Sequence, residues 1–445
     1  MNQIARCLGI LLLLAPSVVQ AQRLRDRLSQ LFVFGPGQDP LFLAGSATSS
    51  NPASLQAHGR HFVPSANAEN GSVINFITRS LASRVAAVPI GATTSGETFS
   101  FEGGIPVATS TSAGPIFAER SQTLGKGRVF AGIARSSFGF TSLRGMPLSA
   151  LRLTFTHENV DFPGCSEQQG NDCKKYGVPL LENESMDFDL NLDIHVNVTS
   201  FVLTYGIGNR VDAGIVIPLL NTSFNGTSSA QIIPFGSTSA AHFFAGTTDY
   251  PVLNATRSTS GSAFGIGDVA ARVKVNVHQT ATTGIAFLLD QRFPTGDKND
   301  LLGAGKGSTR FLAVLSSSFG QFSPHVNAGY SHTADREQND YVLAIAGFDQ
   351  VLGKRVTLAA DVVSEFQVGS SRLLLPKPVT LESPYRRELH PTSIPDIRDD
   401  IINGSFGLKF RPASRTTLVT NALFPLNEGG LRSRITYTLG FEYAY

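Results

Sequence analysis

The chain is predicted to be all-β: a transmembrane antiparallel up-and-down β-barrel of about 14 strands, with an N-terminal plug or extension. Three observations predict it. Long segments alternate apolar and polar residues with period two. Short turns alternate with long connections along the chain. An export signal opens the sequence, and no later apolar run is long enough to cross a bilayer as a helix.

The first segment is read as the signal. Arg6 precedes the apolar core Leu8–Ala15, and Val19-Gln20-Ala21 forms a small-residue exit, so cleavage is expected after Ala21. The core is too short to span as a helix, which needs about 20 residues. Residues 1–21 are therefore assigned as a signal peptide and the remainder as exported. Cys7 leaves with it. Cys165 and Cys173 remain, in FPGCSEQQGNDCKKYG, and read as a disulfide, with two free thiols as the alternative. A metal site would want more ligands nearby.

Residues 22–96 lack the alternating rhythm. They are expected to form a plug or a periplasmic extension, with a short amphipathic helix over Ile74–Ala87. Residues 97–445 are assigned to the barrel. Thirteen strand segments are read from Gly127 onward, and a further one is expected around Glu97–Gly103. The strongest is SMDFDLNLDIHVNV, Ser185–Val198, where seven apolar residues alternate with Asp187, Asp189, Asn191, Asp193, His195 and Asn197. In a spanning strand one face meets lipid and the other the lumen. The apolar row is accordingly assigned to lipid and the acidic row to the lumen, with Arg272 and Lys274 of a neighbouring strand as counter-charges. The long connections are placed at Asp161–Glu184, Leu220–Gly265, Pro294–Ser308 and Gln367–Ile402.

Composition narrows the function classes. Charged residues are 16% of the chain, against about 25% in soluble domains, which suits a lipid-facing wall. Lys plus Arg is 36 and Asp plus Glu is 34, a balance that offers no clustered basic face for nucleic acid. Trp is absent, so Tyr and Phe must supply any aromatic girdle. No Ser, His and acid set converges, so no enzyme activity and no cofactor is expected. His195 reads as a wall residue. PTGDKNDLLGAGKG, Pro294–Gly307, lacks the closing Glu of a calcium loop and the spacing of a phosphate loop, and reads as a surface loop.

Two segments carry a resemblance. FGIGDVAARVKVNV followed by FLLDQRFPTGDKNDLLGAGKGS resembles the meta-pathway of phenol degradation family of outer-membrane transporters. The matching positions are Gly265, Gly267 and Asp268, then Pro294, Thr295, Gly296 and Asp297. Gly114–Ile133 is similar to the barrel entry of related proteins, and Asn51-Pro52-Ala53 is similar to a triplet in FadL-type channels, the more distant relation. The resemblance implies a channel in the bacterial outer membrane for passive uptake of small hydrophobic or aromatic compounds, with outer-membrane lipid and a small hydrophobic ligand as partners. The acidic row departs from a purely hydrophobic conduit. The alternative is a non-transporting surface or adhesive barrel acting through its long loops. The last strand, ITYTLGFEYAY, places Phe441, Tyr443 and Tyr445 on one face, and its terminal aromatic resembles the sorting signal read by the barrel-assembly machinery.

Overall fold

The computed structural model describes residues 23–35, 39–43, 45–46, 59–63, 66, 76–77, 80–81, 99–102, 105–108, 112–156, 184–234, 240, 242–381 and 385–445. Cys165 and Cys173 lie outside the described residues, as does the signal segment. Fourteen strands of six residues or more follow one another: β1 Val129–Leu143, β2 Leu151–Thr156, β3 Ser185–Gly206, β4 Val211–Ile233, β5 Asn254–Ile266, β6 Ala270–Gln279, β7 Thr283–Arg292, β8 Ser308–Ser317, β9 Phe322–Thr333, β10 Tyr341–Val351, β11 Val356–Gln367, β12 Ile401–Ala413, β13 Thr416–Pro425 and β14 Thr436–Ala444. All pair antiparallel. β14 pairs with β13 on one edge and β1 on the other, which closes the sheet.

The closed ring holds twelve of these strands, not about 14. The reason is the length of β3 and β4, 22 and 23 residues, about twice the 9–11 that cross a bilayer. Each carries two partners in series along one edge. β3 pairs with β1 over Ile194–Tyr205 and with β2 over Ser185–Leu190. β4 pairs with β6 over Val211–Val216 and with β5 over Leu219–Gln231. β2 and β5 therefore build a sheet that rises above the ring. The segment near Glu97 also stays outside it, since Phe99–Glu102 pairs with Ile105–Ala108 in a separate two-stranded sheet. Leu220–Gly265, expected to be a loop, is mostly this raised hairpin.

Below the rise, side chains sort as a bilayer demands. On β6, Val273, Val275 and Val277 are exposed outward while Arg272, Lys274 and Asn276 are buried inward. On β14, Tyr437, Leu439, Phe441 and Tyr443 point out, and Glu442 points in to Lys409 at 3.0 Å. Among the described residues no helix is long and apolar enough to cross a membrane. The strands do the spanning, with all ladder groups paired inside the ring.

The alternation inverts partway along β3. From Phe201 to Tyr205 the odd positions are apolar and exposed; from Met186 to Val198 the even positions are apolar and buried. The register with β4 continues without a bulge, so the strand does not flip. What changes is the surroundings. β4 inverts in the same way, with Ile215 and Ile217 outward but Leu220, Phe224 and Ile232 inward. β1 inverts between Ile133 and Phe138. The three inversions lie level, since Ser136 pairs with Val198 and Val198 with Leu220. Below that level the outside is hydrocarbon; above it the outside is water and the inside is a protein core.

That core is built by the N-terminal segment. Helix α1, Leu24–Gln30, buries Leu24 and Leu28, and Leu31 follows in the same cluster with Phe188 and Phe224. Phe188 stacks on Phe32 at 5.3 Å and meets Phe155 edge-on at 5.2 Å. Small residues in β4 and β5 let the helix approach. A Cβ on Gly226 would lie 2.9 Å from Leu31 Cδ1 and 2.4 Å from the Phe224 ring, so a larger residue would push these side chains aside. Within the expected helix over 74–87, residues 76–77 and 80–81 are described and helical, with Ile77 and Leu81 fully buried.

Candidate functional site: an occluded lumen

Ser112–Leu124 crosses the inside of the ring near its short-turn end. Gly114 and Pro115 prevent regular structure, so its backbone groups need partners that a spanning barrel must supply internally. The inner wall supplies them strand by strand. Ala113 N donates to Thr357 Oγ1 of β11 at 3.0 Å. Glu119 N donates to Asn327 Oδ1 of β9 at 2.7 Å, and Asn327 Nδ2 returns a bond to Glu119 O at 3.0 Å. Ser121 O accepts from Asn276 of β6 at 2.8 Å, and Leu124 N donates to the Asp212 carboxylate of β4 at 3.0 Å. Asp349 of β10 binds both the Arg120 guanidinium and the Ser112 hydroxyl. His325 lies between Asp361, 2.6 Å away, and Asp349, 3.7 Å away. Ile116 and Phe117 anchor the middle of the strap against Ala359, Val419 and Leu423.

On the loop side of this strap lies a cavity of mixed character. Phe117, Leu288, Leu312, Leu343 and Val363 form its apolar wall; Arg272, Asp290 and Arg310 form its polar one, with Glu119 and Glu365 beside them. It adjoins a second space through Arg310, Leu343 and Glu365, lined also by Arg292 and Lys306. That space in turn adjoins, through Gln338, Asn339 and Tyr341, one bordered by Phe76 and Ser80. A series of spaces thus leads from the N-terminal segment down to the strap.

Asp268 and PTGD meet at the rim. The Asp268 carboxylate, buried in the β5–β6 turn, accepts from Gly296 N at 3.0 Å and Ala304 N at 2.8 Å. Burial raises its pKa above the usual carboxylate range, and the two amide bonds partly offset that. Thr295 Oγ1 donates to Gly267 O at 2.6 Å and accepts from Val269 N at 3.0 Å. Pro294 ends β7, and Gly296 packs against Leu302 O, where a Cβ would come within 2.4 Å. Asp297 accepts from Asn299 N at 2.8 Å and so caps a short turn that turns Leu301 and Leu302 into the core. Gly265 and Gly267 lie against Leu302 and Leu220. These residues form a clasp between two hairpins, and the segment expected to be a surface loop buries Gly296, Leu301, Leu302 and Gly303.

Residues 180–366 match the family model described as "Putative MetA-pathway of phenol degradation". The match runs from just before β3 to the end of β11 and contains both halves of the clasp. No curated protein matches the chain. Among solved structures the chain is similar to an outer membrane channel of Pseudomonas putida F1, with 10% identity over 73% of this chain and 98% of that one, at a TM-score of 0.40. A TodX monoaromatic hydrocarbon channel deletion mutant gives 10% identity, 73% and 92% coverage, and a TM-score of 0.35. A Pseudomonas aeruginosa FadL homologue gives 10%, 72% and 90%, and 0.32.

In the matched segment the clasp predicts a specific loss. Asp268→Ala leaves two buried amides without an acceptor, at about 1–3 kcal/mol each. Urea unfolding in lipid vesicles, read from the heat-modifiable band, should show a drop of at least about 2 kcal/mol. An unchanged midpoint would refute the clasp.

The other predicted residues fall in two places. Arg272 and Lys274 face the lumen, but their partners are Asp290, at 2.7 Å from Arg272, and Glu119, at 3.5 Å from Lys274. Asp187, Asp189, Asn191, Asp193, His195 and Asn197 do not face the lumen. They sit on the outward side of β3, above the inversion level, and are half-exposed or exposed. Asp189 pairs with Arg152 of β2 at 3.0 Å, Asp187 accepts from Thr154 at 2.8 Å, and His195 pairs with Asp193 at 2.9 Å. The strap carries no sequence motif that marks it as functional. Its signal in the sequence is the inward spacing of Asn276, Asn327 and Asp349, polar groups with no strand partner to satisfy.

Proposed function

We propose that the protein is a bacterial outer-membrane channel for passive uptake of small hydrophobic or aromatic compounds, gated by the strap Ser112–Leu124. The carrying observation is the part-apolar cavity, walled by Leu288, Leu312, Leu343 and Val363 and floored by Phe117, inside a closed lipid-facing ring. The matched family description supports the same reading. The N-terminal segment, docked on the raised sheet, serves as a lid at the loop side. Residues 1–21 serve as the export signal. Liposome swelling with toluene and benzyl alcohol, beside uptake in a deletion strain, tests transport. Swelling equal to empty liposomes and unchanged uptake of every compound would sink it.

A second reading is a non-transporting surface barrel. It is favoured by the buried ion pairs Arg120–Asp349 and Lys274–Glu119, which hold the strap in place. A strap that stays protected from hydrogen exchange in the presence of every aromatic solute would favour it further.

Assembly rests on β14. Its backbone pairs with β1 to close the ring, Phe441 and Tyr443 face outward, and Tyr445 exchanges backbone hydrogen bonds with Val129 at 2.8 and 2.9 Å. We expect deletion of Tyr443–Tyr445 to abolish recognition by the barrel-assembly machinery. A truncated chain that still gives a membrane-inserted, heat-modifiable band contradicts this.

A further inference from the structure

We infer that the lumen contains a carboxylate-binding site, and that the preferred ligand is a small aromatic or apolar monocarboxylic acid in its ionised form. The inference rests on the channel reading, which it narrows to a substrate class.

Three neighbouring strands place a charged row on the inner wall. Arg272 of β6 pairs in register with Asp290 of β7, and Asp290 with Arg310 of β8. Arg292 stands two residues further along β7. One carboxylate thus faces three guanidinium groups. Asp290 accepts from Arg272 Nε at 2.7 Å and lies 3.3 Å from Arg292 Nε. Arg310 makes no ion pair or hydrogen bond among the described residues. Glu119 does not balance the excess, since Lys274 already holds it at 3.5 Å while Arg272 is 3.8 Å away. Glu365 also borders the cavity and has interactions of its own.

The donors are the telling feature. Arg272 Nη1, Arg292 Nε and Nη2, and Arg310 Nε are all buried without a hydrogen-bond acceptor. Arg292 is only 3% exposed. Arg292 Nε and Arg272 Nη1 have only the longer ion pairs to Asp290 and Glu119, and Arg292 Nη2 and Arg310 Nε have neither ion pair nor hydrogen bond among the described residues. Folded proteins pair such groups, so these donors, spread over two adjoining spaces, mark a missing acceptor. The planar fork of arginine matches the two oxygens of a carboxylate. Beside the row on the same inner wall stand Leu288 and Leu312, two residues along the same strands, with Leu343 level with them and Phe117 of the strap nearby, an apolar surface that fits a ring or short chain and rejects a compact hydrated anion. Head and body of a carboxylate such as benzoate would meet adjacent charged and apolar rows.

The test uses the full-length channel in detergent, with benzoate as probe and benzamide as its neutral isostere. Calorimetric titration should show benzoate binding more tightly than benzamide. Arg310→Gln, which removes a side chain without a partner, should weaken benzoate about tenfold and move benzamide by less than about twofold. Arg310→Lys should recover part of the loss. Inorganic phosphate should compete weakly. Equal affinity for benzoate and benzamide, or benzoate affinity unchanged by Arg310→Gln in a heat-modifiable variant, overturns the site. Liposome swelling with benzyl alcohol separates the two readings. Swelling without benzoate binding leaves the channel and removes the carboxylate site. Benzoate binding without swelling by any solute leaves the site and removes the channel.

Discussion

Asp349→Ala should open the lumen. Asp349 is fully buried and receives both Ser112 and Arg120 of the strap, with His325 facing its other oxygen. Removing it takes from the buried Arg120 guanidinium its carboxylate partner. Breaking a buried pair in that way costs about 3–5 kcal/mol, or on the order of a hundredfold or more in the latched population. The strand ladders are untouched, so the ring itself should persist. In planar bilayers the wild-type channel should conduct poorly, and the variant should show a several-fold larger, long-lived open level. Conductance identical to wild type, from a variant that remains heat-modifiable, would mean that the strap's other anchors, its bonds to Thr357, Asn327, Asn276 and Asp212 and the Lys274–Glu119 pair, hold it without Asp349.

The inversion along β3 makes the second large prediction, and it has three arms. Leu203→Arg places a cation on the lipid face below the inversion level and should cost about 2–4 kcal/mol. Asn191→Arg lies on the same side of the same strand, twelve residues earlier by numbering, and should change stability by less than about 0.5 kcal/mol, because that stretch faces water. Phe188→Ala is inward, under Phe32 and Phe155, and should cost about 3–5 kcal/mol while freeing the N-terminal segment. Urea titration in vesicles of fixed thickness measures all three. A cost for Asn191→Arg as large as that for Leu203→Arg would put the acidic row in hydrocarbon and overturn the inversion.

The parity of apolar residues along β3 was in the sequence all along. It is even through Val198 and odd from Phe201. That shift is legible only once a strand is allowed to cross from one solvent to another. The Asp268 and PTGD motifs were legible as a pair, but their chemistry was not, since a carboxylate that accepts backbone amides looks in sequence like one that binds a cation. The strap gave little warning, because an irregular segment has no periodicity and its partners are scattered from Asp212 to Thr357.

The sequence by itself determined most of the ring strands, the short turns between them, the lipid-facing rows of β6 and β14, and the closing role of the last strand, but not the strand β5 inside an expected loop. Each of these follows from period-two alternation, a local property that the bilayer imposes strand by strand. The tertiary structure alone decided that twelve strands close, that the acidic row faces outward, that Ser112–Leu124 crosses the lumen, and that three arginines surround Asp290. Alternation states which side chains share a face. Which face is the inside depends on what packs there, and that is set by residues far away in the chain.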